Sequence, residues 1–403
     1  MAFYQAVLFI AAPFNKKAKL LVQGRRVSWE KIELFKKDPA SKSAWFHCAS
    51  LGEFEQARPI IEAYKSRFST HKIILTFFSP SGYEVRKNYP LADLVCYLPS
   101  DSKKNAQRFI RAVRPDIAFF IKYEFWFYYL SELKNHSIQV YSLSAIFRPD
   151  HHIFGMFGEM TRKAVRNFTH IFTQDEVSES LLHSIDIRNT TVAGDTRFDR
   201  VKFVGAESKP VPLLENFGGS HRVMVIGSCW DEDLELLIPF INSDTHDLKF
   251  ILAPHEIHEH QLLSLEEKVK LKTVRYSIAT PELIEQSRVV IIDSIGILNK
   301  LYKYGHYAYV GGAFGKGLHN ILEPAAFGLP VFFGNKNYKK FREALELISL
   351  NYAFPVSNLD AFLKKYEMVK EEELRRKMRD GIMGYVAKNA GATEIIINNC
   401  FEK

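Results

Sequence analysis

The chain has 403 residues, of which 47% are hydrophobic and 25% are charged, and its formal net charge is +8. This length exceeds the usual size of one hydrophobic core, so we expect a globular chain of two domains of comparable size. Four widely spaced cysteines form no C-x-x-C pair. They argue against a disulfide framework and indicate a reducing, cytoplasmic setting.

Most of the excess positive charge lies at the amino end. Residues 1–50 hold nine lysines and arginines against three acids, a net charge of +6. The preceding apolar run Phe3–Phe14 is too short to span a bilayer, which needs about 20 residues as a helix. We therefore predict that residues 1–30 form a membrane-associating segment, an interfacial helix followed by cations held against anionic lipid. A buried terminal helix with a solvated basic flank is the alternative.

The first half of the chain alternates short apolar runs with longer polar, periodic stretches. This pattern is typical of a parallel β-sheet covered by helices on both faces, and it predicts an acceptor-binding Rossmann-like domain over residues 31–205. The predicted strands cover residues 44–49, 72–78, 94–98, 117–121, 138–143, 170–173 and 191–194.

The pattern lapses over residues 206–219, where two prolines and two glycines predict a linker, and then restarts. Further strands are predicted at residues 222–228, 249–253, 289–293, 307–312 and 330–334, so residues 220–403 form a second Rossmann-like domain with C-terminal helices. Two doubly wound α/β domains would face each other across a cleft at the carboxyl ends of their strands, where such sheets bind ligands.

A glycine-rich turn follows the predicted strand at 307–312, in "YVGGAFGKGLHNILEP". Gly312 lies in this turn, and we expect its backbone amides and Lys316 to point towards a phosphate. Asn320 and Glu323 follow at the next helix start. They form either a capping pair or a site at which the carboxylate accepts hydrogen bonds from ribose hydroxyls.

The segment "APHEIHEH" clusters His255, His258 and His260 with two glutamates after another predicted strand. It lacks the H-E-x-x-H spacing of a zinc site. The segment fits a loop that contacts a nucleotide better than it fits a metal site. An ordinary polar start of a helix is the alternative interpretation.

Two carboxylates in the first half follow predicted strands, Glu53 after "AWFHCA" and Glu124 after "IAFFI". In one sheet both would face the same cleft and could divide the work of base and electrostatic support. Each alone also fits a helix cap or a solvated charge. Arg197 follows the last strand of this domain, where its other reading is a surface salt bridge.

Together these segments resemble one family, the 3-deoxy-D-manno-oct-2-ulosonic acid (Kdo) transferases of lipopolysaccharide synthesis. The likeness runs through "HCASLGEFEQARP", "FFSPSGYE", "IKYEFW", "GDTRFDR", "IIDSIGIL" and "YVGGAFGKGLHNILEPAAFGLPV". It implies a GT-B glycosyltransferase at the cytoplasmic face of the inner membrane, which moves Kdo from CMP-Kdo to a lipid A precursor with inversion. The resemblance implies no cofactor and no metal.

The resemblance assigns Glu53 as the general base and Glu124 and Arg197 as support for the transition state. The residues expected at the nucleotide, from the resemblance and from the glycine-rich turn, are Pro254, His255, Ile295, Gly296, Ile297, Gly312, Lys316, Asn320, Ile321, Leu322 and Glu323.

The chain departs from the family pattern at several of these positions. Arg197 stands where the family usually has lysine, and the common Pro-Arg-His is Pro254-His255-Glu256, which removes a permanent cation. The Gly-Glu pair of the central CMP segment is Gly296-Ile297, and Leu318 replaces the second glycine of Gly-Gly-His-Asn.

Two other functions fit parts of the sequence. A GT-B enzyme with another donor, such as a UDP-sugar transferase or epimerase, shares the fold but has no use for a cationic amino end. A nucleic-acid-binding protein is disfavoured, because the charge is concentrated at one end and no RRM, KH or helix-turn-helix pattern occurs.

Overall fold

The computed structural model describes residues 11–35, 37–38, 40–207, 209–243 and 247–401. It divides into two compact units, one formed by Met1–Arg200 with Asn389–Lys403 and the other by Val201–Lys388. The apolar run predicted to lie in the membrane interface falls mostly on residues 1–10, outside the described residues.

The first unit is built on a parallel seven-stranded sheet in the order β3-β2-β1-β4-β5-β6-β7. Its strands are β1 (Ser43–Cys48), β2 (Lys72–Phe77), β3 (Leu94–Tyr97), β4 (Ile117–Ile121), β5 (Gln139–Ala145), β6 (His170–Thr173) and β7 (Thr190–Val192). Its helices are α1 (Lys16–Leu34), α2 (Leu51–Arg67), α3 (Pro80–Arg86), α4 (Lys103–Val113), α5 (Phe127–Asn135), α6 (Glu159–Val165), α7 (Glu176–His183) and α8 (Thr196–Glu207). All seven predicted strands are confirmed within two residues.

The sheet is buried on both faces, which explains why its strands read as continuous apolar runs. Successive side chains of β1 alternate between two cores: Phe46 packs with Phe119 on one face, and Trp45 packs with Phe120 on the other. The packing of these side chains on both faces holds β1 in place. Its carboxyl end leads directly into α2.

Helix α1 packs on this unit rather than standing apart from it. Its Ile32 is fully buried, and a side chain at Gly24 would collide with the ring of Tyr97. The Ser28 hydroxyl oxygen accepts the Tyr97 amide N–H at 2.9 Å. The helix therefore crosses the expected boundary at residue 30.

The second unit repeats the architecture, with strand order β10-β11-β9-β8-β12-β13-β14. Its strands are β8 (Arg222–Cys229), β9 (Leu248–Pro254), β10 (Thr273–Arg275), β11 (Val289–Ile291), β12 (Tyr307–Val310), β13 (Val331–Gly334) and β14 (Ala353–Val356). Its helices are α9 (Asp231–Asn242), α10 (Glu259–Lys268), α11 (Pro281–Gln286), α12 (Leu298–Leu301), α13 (Leu322–Ala325), α14 (Arg342–Ser349), α15 (Leu359–Val369) and α16 (Glu372–Asn389).

The structure differs from the expected domain limits in two places. Helix α8 continues to Glu207, so it occupies the start of the predicted linker. The last helix, α17 (Ala392–Phe401), was expected in the second domain but lies in the first unit. There its Ile396 and Ile397 join the core that contains Phe46, because burial of these apolar side chains stabilises that arrangement.

Within the part of the chain that the structure describes, none of the helices is both long and apolar enough to cross a membrane. All four cysteines are free thiols.

Candidate active site and nucleotide site

Both sheets have a point where consecutive connections leave in opposite directions, between β1 and β4 in the first and between β8 and β12 in the second. Ligands of doubly wound sheets bind at the carboxyl ends of the strands at such a switch point. Glu53 follows β1 and Glu124 follows β4. The sequence-predicted carboxylates therefore flank the switch point of the first sheet.

The carboxylate of Glu124 is held by two donors. Its Oε2 lies 2.7 Å from the indole Nε1 of Trp126 and 3.2 Å from Nε2 of His47, and the Glu124 side chain is only 14% exposed. His47 lies in β1 and is fully buried. His47 therefore positions the carboxylate of Glu124, which follows the neighbouring strand β4.

Hydrogen-bond directions fix which nitrogen of His47 faces Glu124. The indole of Trp45 is only a donor, and it lies 2.8 Å from the Thr76 hydroxyl oxygen. That hydroxyl also lies 2.8 Å from His47 Nδ1 and 3.5 Å from the Phe46 carbonyl oxygen. A carboxylate only accepts hydrogen bonds, so Nε2 of His47 carries the proton that is donated to Glu124.

Glu53 has an environment different from that of Glu124. It lies in the first turn of α2 and accepts the Ala49 amide N–H. Burial, followed by the charge of Glu124, raises the pKa of Glu53 to about 7, although the amides of Ala49 and Ser50 and the charge of Lys122 act in the opposite direction. The group that accepts the amide at the start of α2 is therefore also a carboxyl that exchanges a proton near neutrality.

Arg197 lies at the start of α8 and binds an acid that is almost fully buried. Its Nε and Nη2 lie 2.9 and 2.7 Å from Asp195 Oδ2, and Gln56 of α2 donates to Asp195 Oδ1 at 3.0 Å. Burial alone would raise the pKa of Asp195, but Arg197 and these hydrogen bonds outweigh it and hold the pKa below its ordinary value. The pair is therefore a buried anchor between α8 and α2, not the surface salt bridge weighed from the sequence.

In the second unit, three rings stack at the switch point. The rings of Trp230 and His255 lie 4.0 Å apart and those of His255 and His319 lie 4.7 Å apart, each pair at 25°. Trp230 Nε1 donates to His319 Nε2 at 3.0 Å, and Lys316 Nζ lies 3.5 Å from the centre of the indole ring. We call Trp230, His255, Lys316 and His319 the ring cluster.

The charge of the ring cluster resides on Lys316. Burial, then His255, lowers the pKa of His319 to about 4. Burial is also the main reason why the pKa of His255 lies below its ordinary value, and Lys316 lowers it further, while Glu256 acts against both. Both imidazoles are therefore neutral near pH 7, and the cluster presents one flexible cation on an aromatic surface.

The amides of three glycines in this turn are used within the protein, whereas the prediction has the amides of the turn point towards a phosphate. Gly312 N–H donates to the buried carboxylate of Asp233 at 2.9 Å, while the amides of Gly315 and Gly317 both donate to the Gly312 carbonyl oxygen. Gly312 leaves no room for a side chain, since a Cβ there would lie 2.4 Å from the Gly317 oxygen, and its φ is +94°. Its role in the fold is to place Lys316 over Trp230.

The other residues expected at the nucleotide differ in which of their groups are available to a ligand. Asn320 Nδ2 donates to Glu323 at 3.3 Å, while its Oδ1 accepts the Leu322 amide, so the capping pair weighed from the sequence is present. Ile321 and Leu322 are buried, so only their backbones are available to a ligand.

Pro254 ends β9, next to Cys229 in the register. The loop after β11 is open, with Ile295 85% exposed and free space around Gly296. Ile297 of that loop packs against the core beneath it. The replacement residue Leu318 is buried.

His258 and His260 are exposed and stack on each other with ring centres 5.9 Å apart. Across the described ranges, no three or more histidine, cysteine, aspartate and glutamate side chains are grouped so as to hold a metal ion.

The sequence analysis missed His47, Trp126, Trp230 and Asp233 as site residues. Trp126 lies two residues after Glu124 and Trp230 directly follows β8, whereas His47 lies inside β1 and Asp233 in the first turn of α9.

The two seven-stranded parallel sheets define a GT-B fold, the class shared by glycosyltransferases and nucleotide-sugar epimerases. The solved structure of the UDP-GlcNAc 2-epimerase of Neisseria meningitidis matches with a TM-score of 0.60 at 14% identity, over 90% of this chain and all of that chain. A glycosyltransferase of Rickettsia africae matches with a TM-score of 0.58 at 16% identity, over 90% of this chain and 97% of that chain.

Residues 26–200 match the family model of the 3-deoxy-D-manno-octulosonic-acid transferases (Kdotransferase), so the resemblance to this family is confirmed. Transferases of that name from Aquifex aeolicus and Chlamydia trachomatis are 27% and 25% identical over 83% and 87% of this chain, and 85% of each relative. A bifunctional glycosyltransferase/methyltransferase of Fusobacterium nucleatum is 23% identical over 91% of the chain, which spans only 58% of that protein.

Proposed function

We propose that this protein transfers Kdo from CMP-Kdo to a hydroxyl of a lipid A precursor of the lipid IVA type, with inversion at the anomeric carbon. The observation that carries the proposal is the pair of carboxylates at the switch point of the first sheet. One is fixed by His47 and Trp126, and the other has a pKa of about 7. The similarity to Kdo transferases over most of the chain supports the identity of the sugar.

Glu53 is the general base. As the bond between the anomeric carbon and the CMP oxygen breaks, the acceptor hydroxyl oxygen attacks from the opposite face and its proton passes to the Glu53 carboxylate. Catalysis of this kind is typically worth about a hundred- to ten-thousand-fold in rate. The charge of Glu124 raises the basicity of Glu53, and it also faces the positive charge that builds up on the sugar.

Arg197 acts through position rather than through a free charge. Its bonds to Asp195 tie α8 to Gln56, which lies one turn after Glu53 in α2. In the proposed reaction it supports the geometry of the base, and its guanidinium adds positive potential on the acceptor side.

The leaving CMP is bound by the second unit. We assign CMP to the surface of the ring cluster, through its pyrimidine ring or its phosphate. Lys316 neutralises the phosphate as negative charge develops there. The amide N–H groups of Asn320 and Ile321 have no acceptor among the described residues, so they are available to the phosphate. Glu323 accepts hydrogen bonds from the ribose hydroxyls. Transfer requires the sites of the two units to face each other across a cleft.

The proposed location is the cytoplasmic side of the inner membrane, with peripheral or monotopic attachment. The support is the start of the described chain, where Phe14, just before helix α1, and Val27 and Leu34 within it are exposed among lysines and arginines. Exposed apolar side chains among cations suit a surface of anionic lipid.

The test is transfer by purified protein from freshly generated CMP-Kdo to a lipid A precursor, followed by the mass of the lipid product. Glu53→Gln should abolish most transfer, because the amide cannot take the proton. The fold should be kept, because the amide oxygen still accepts the Ala49 N–H, and CMP binding should stay intact because the proposed CMP site lies in the second unit. Full activity of that variant removes Glu53 from the role. Competition by UDP but not by CMP would instead identify a UDP-sugar enzyme.

A further inference from the structure

The second unit carries a polar groove at the edge of the sheet opposite the ring cluster. It has a volume of about 610 Å³ and lies where β8 and β12 begin. Ligands of such sheets bind at the carboxyl ends, so the nucleotide chemistry proposed above does not use this edge. We call it the amino-edge groove, and the lining residues used below are Glu215, Arg222, Lys303, His306, Glu372 and Arg375.

Two arginines of the groove converge on the same acceptors. Nη1 of Arg222 lies 2.8 Å from the Lys370 carbonyl oxygen, and Nη1 of Arg375 lies 3.2 Å from that oxygen. Both groups also donate to the Tyr307 hydroxyl, at 3.4 and 3.1 Å. Two guanidinium groups are therefore held side by side, although like charges repel at such separations.

Neither arginine forms a direct ion pair in the part of the chain that the structure describes. Among the residues that the structure describes, neither Arg222 nor Arg375 has a carboxylate within ion-pair distance, and each uses only Nη1 in its hydrogen bonds. Their Nε and Nη2 donors are left for a ligand. Paired guanidinium donors in a fixed fork suit the oxygens of a phosphate.

A neutral histidine adds a further donor to the groove. The Val223 amide N–H donates to Nδ1 of His306 at 3.1 Å, so the remaining proton of this imidazole lies on Nε2. Burial, followed by Arg375, Arg222 and Arg379, lowers the pKa of His306. Glu372 acts in the opposite direction, so this imidazole faces three cations and one carboxylate.

The lining also contains acceptors. Glu215 and Glu372 are exposed at the groove. Carboxylates accept hydrogen bonds from hydroxyl groups and repel additional negative charge. The groove therefore combines a compact cationic pair with acceptors for hydroxyls, an arrangement that disfavours an extended polyanion.

We propose that the amino-edge groove binds a phosphate monoester on a hydroxyl-bearing body, the chemistry of a phosphorylated sugar. Arg222 and Arg375 bind the phosphate oxygens, His306 donates from Nε2, and Glu215 and Glu372 accept from hydroxyls. This site is separate from the proposed transferase site and does not depend on the identity of the donor. The phosphorylated sugar is either free in solution or the headgroup of a lipid.

The experiment uses the full chain with ¹³C-labelled histidines and follows the His306 ring resonance, assigned through His306→Gln. Glucose 1-phosphate is the free probe, and phosphatidylinositol 4-phosphate in phosphatidylcholine bicelles is the lipid probe. The resonances of His255 and His319 report separately on the ring cluster, so phosphate bound there is recognised. We expect a saturable shift of the His306 resonance with at least one probe, and the effective probe identifies the source of the phosphate.

Arg375→Gln should weaken this binding about tenfold or more, because a charge-assisted hydrogen bond pair is lost. The matched control is Arg376→Gln, which removes the same charge from the next, exposed residue of α16 and should leave the affinity unchanged. A His306 resonance that neither probe shifts overturns the proposal in the unaltered protein, whether or not the variants fold. Equal affinities of Arg375→Gln and the unaltered chain overturn it as well.

Discussion

Nε2 of His47 donates its proton to Oε2 of Glu124 across 3.2 Å, from one strand of the first sheet to the loop after its neighbour. Because a carboxylate only accepts hydrogen bonds, this bond has one direction, and the Thr76 hydroxyl contacts the other nitrogen of the imidazole at 2.8 Å. It holds the charge of Glu124 beside Glu53, and that charge is the second cause, after burial, of the raised pKa of Glu53. A buried histidine thereby influences a base that it does not touch.

The first prediction concerns the pH dependence of transfer. A general base acts when it is ionised, so kcat/KM should rise about tenfold per pH unit below the pKa of Glu53, which is about 7, and level off above it. Glu124→Gln removes a charge that raises this pKa, so the rising limb should move to lower pH. Rates at subsaturating acceptor over pH 5–9 check this, and a limb that stays in place in Glu124→Gln contradicts the coupling.

The second prediction concerns His47. His47→Gln keeps a donor near the position of Nε2, whereas His47→Leu leaves the Glu124 carboxylate without one of its two donors. We expect His47→Leu to lower kcat about a hundredfold and His47→Gln to recover part of that loss, with the KM for CMP-Kdo unchanged in both. An equal loss in the two variants would indicate that the imidazole matters for packing alone.

A third prediction follows from the sign of the Glu53 shift. The pKa rises from an ordinary value of 4.5 to about 7, so between these pH values the folded chain binds more protons than the unfolded chain. The free energy of unfolding should therefore fall as pH rises through this window. Glu53→Gln has no carboxyl to ionise at this position, so its free energy of unfolding should not fall in this window. The variant should be more stable than the unaltered chain at pH 8, by about 1–2 kcal/mol, but not at pH 4. Urea unfolding at both pH values measures the difference.

Much of the fold was predictable because it depends on short-range patterns. Buried parallel strands read as apolar runs, and Glu53 and Glu124 were identified because each follows such a run. The short strands β10 and β14 were missed, since three and four residues leave little pattern to detect. The return of α17 to the first unit depends on contacts across almost the whole chain, and sequence spacing carries no sign of them.

The site was less predictable than the fold, for a related reason. The composition of the glycine-rich turn predicts a phosphate site, but the amides of Gly312, Gly315 and Gly317 are used by Asp233 and by the turn itself. The glycine content of a turn indicates where another group can come close to the backbone, but it does not identify that group. The stacking of Trp230 with His255 joins segments that are remote in sequence, so no local motif announced it.

The fourth prediction concerns Lys316. Since His255 and His319 are neutral near pH 7, Lys316 supplies the positive charge of the ring cluster. Lys316→Ala should weaken CMP binding about tenfold at low salt, and the loss should shrink as salt is added. Lys339→Ala removes an exposed lysine outside the cluster and is the matched control. Calorimetric titration with CMP measures both variants, and an equal loss in both would show that only net charge matters.

The last prediction separates two glycines of the same turn. A Cβ at Gly312 would lie 2.4 Å from the backbone oxygen of Gly317, and the φ of +94° is strained for any other residue, so Gly312→Ala should destabilise the second unit by about 2–3 kcal/mol. A Cβ at Gly315 first meets the carboxylate of Glu232 at 3.0 Å, the far end of a flexible side chain, so Gly315→Ala should be nearly neutral. Trp230 fluorescence reports unfolding beside the turn. CMP binding should fall with Gly312→Ala alone, because Lys316 then loses its place over the indole, and similar stability of the two variants would contradict the close packing on which that placement depends.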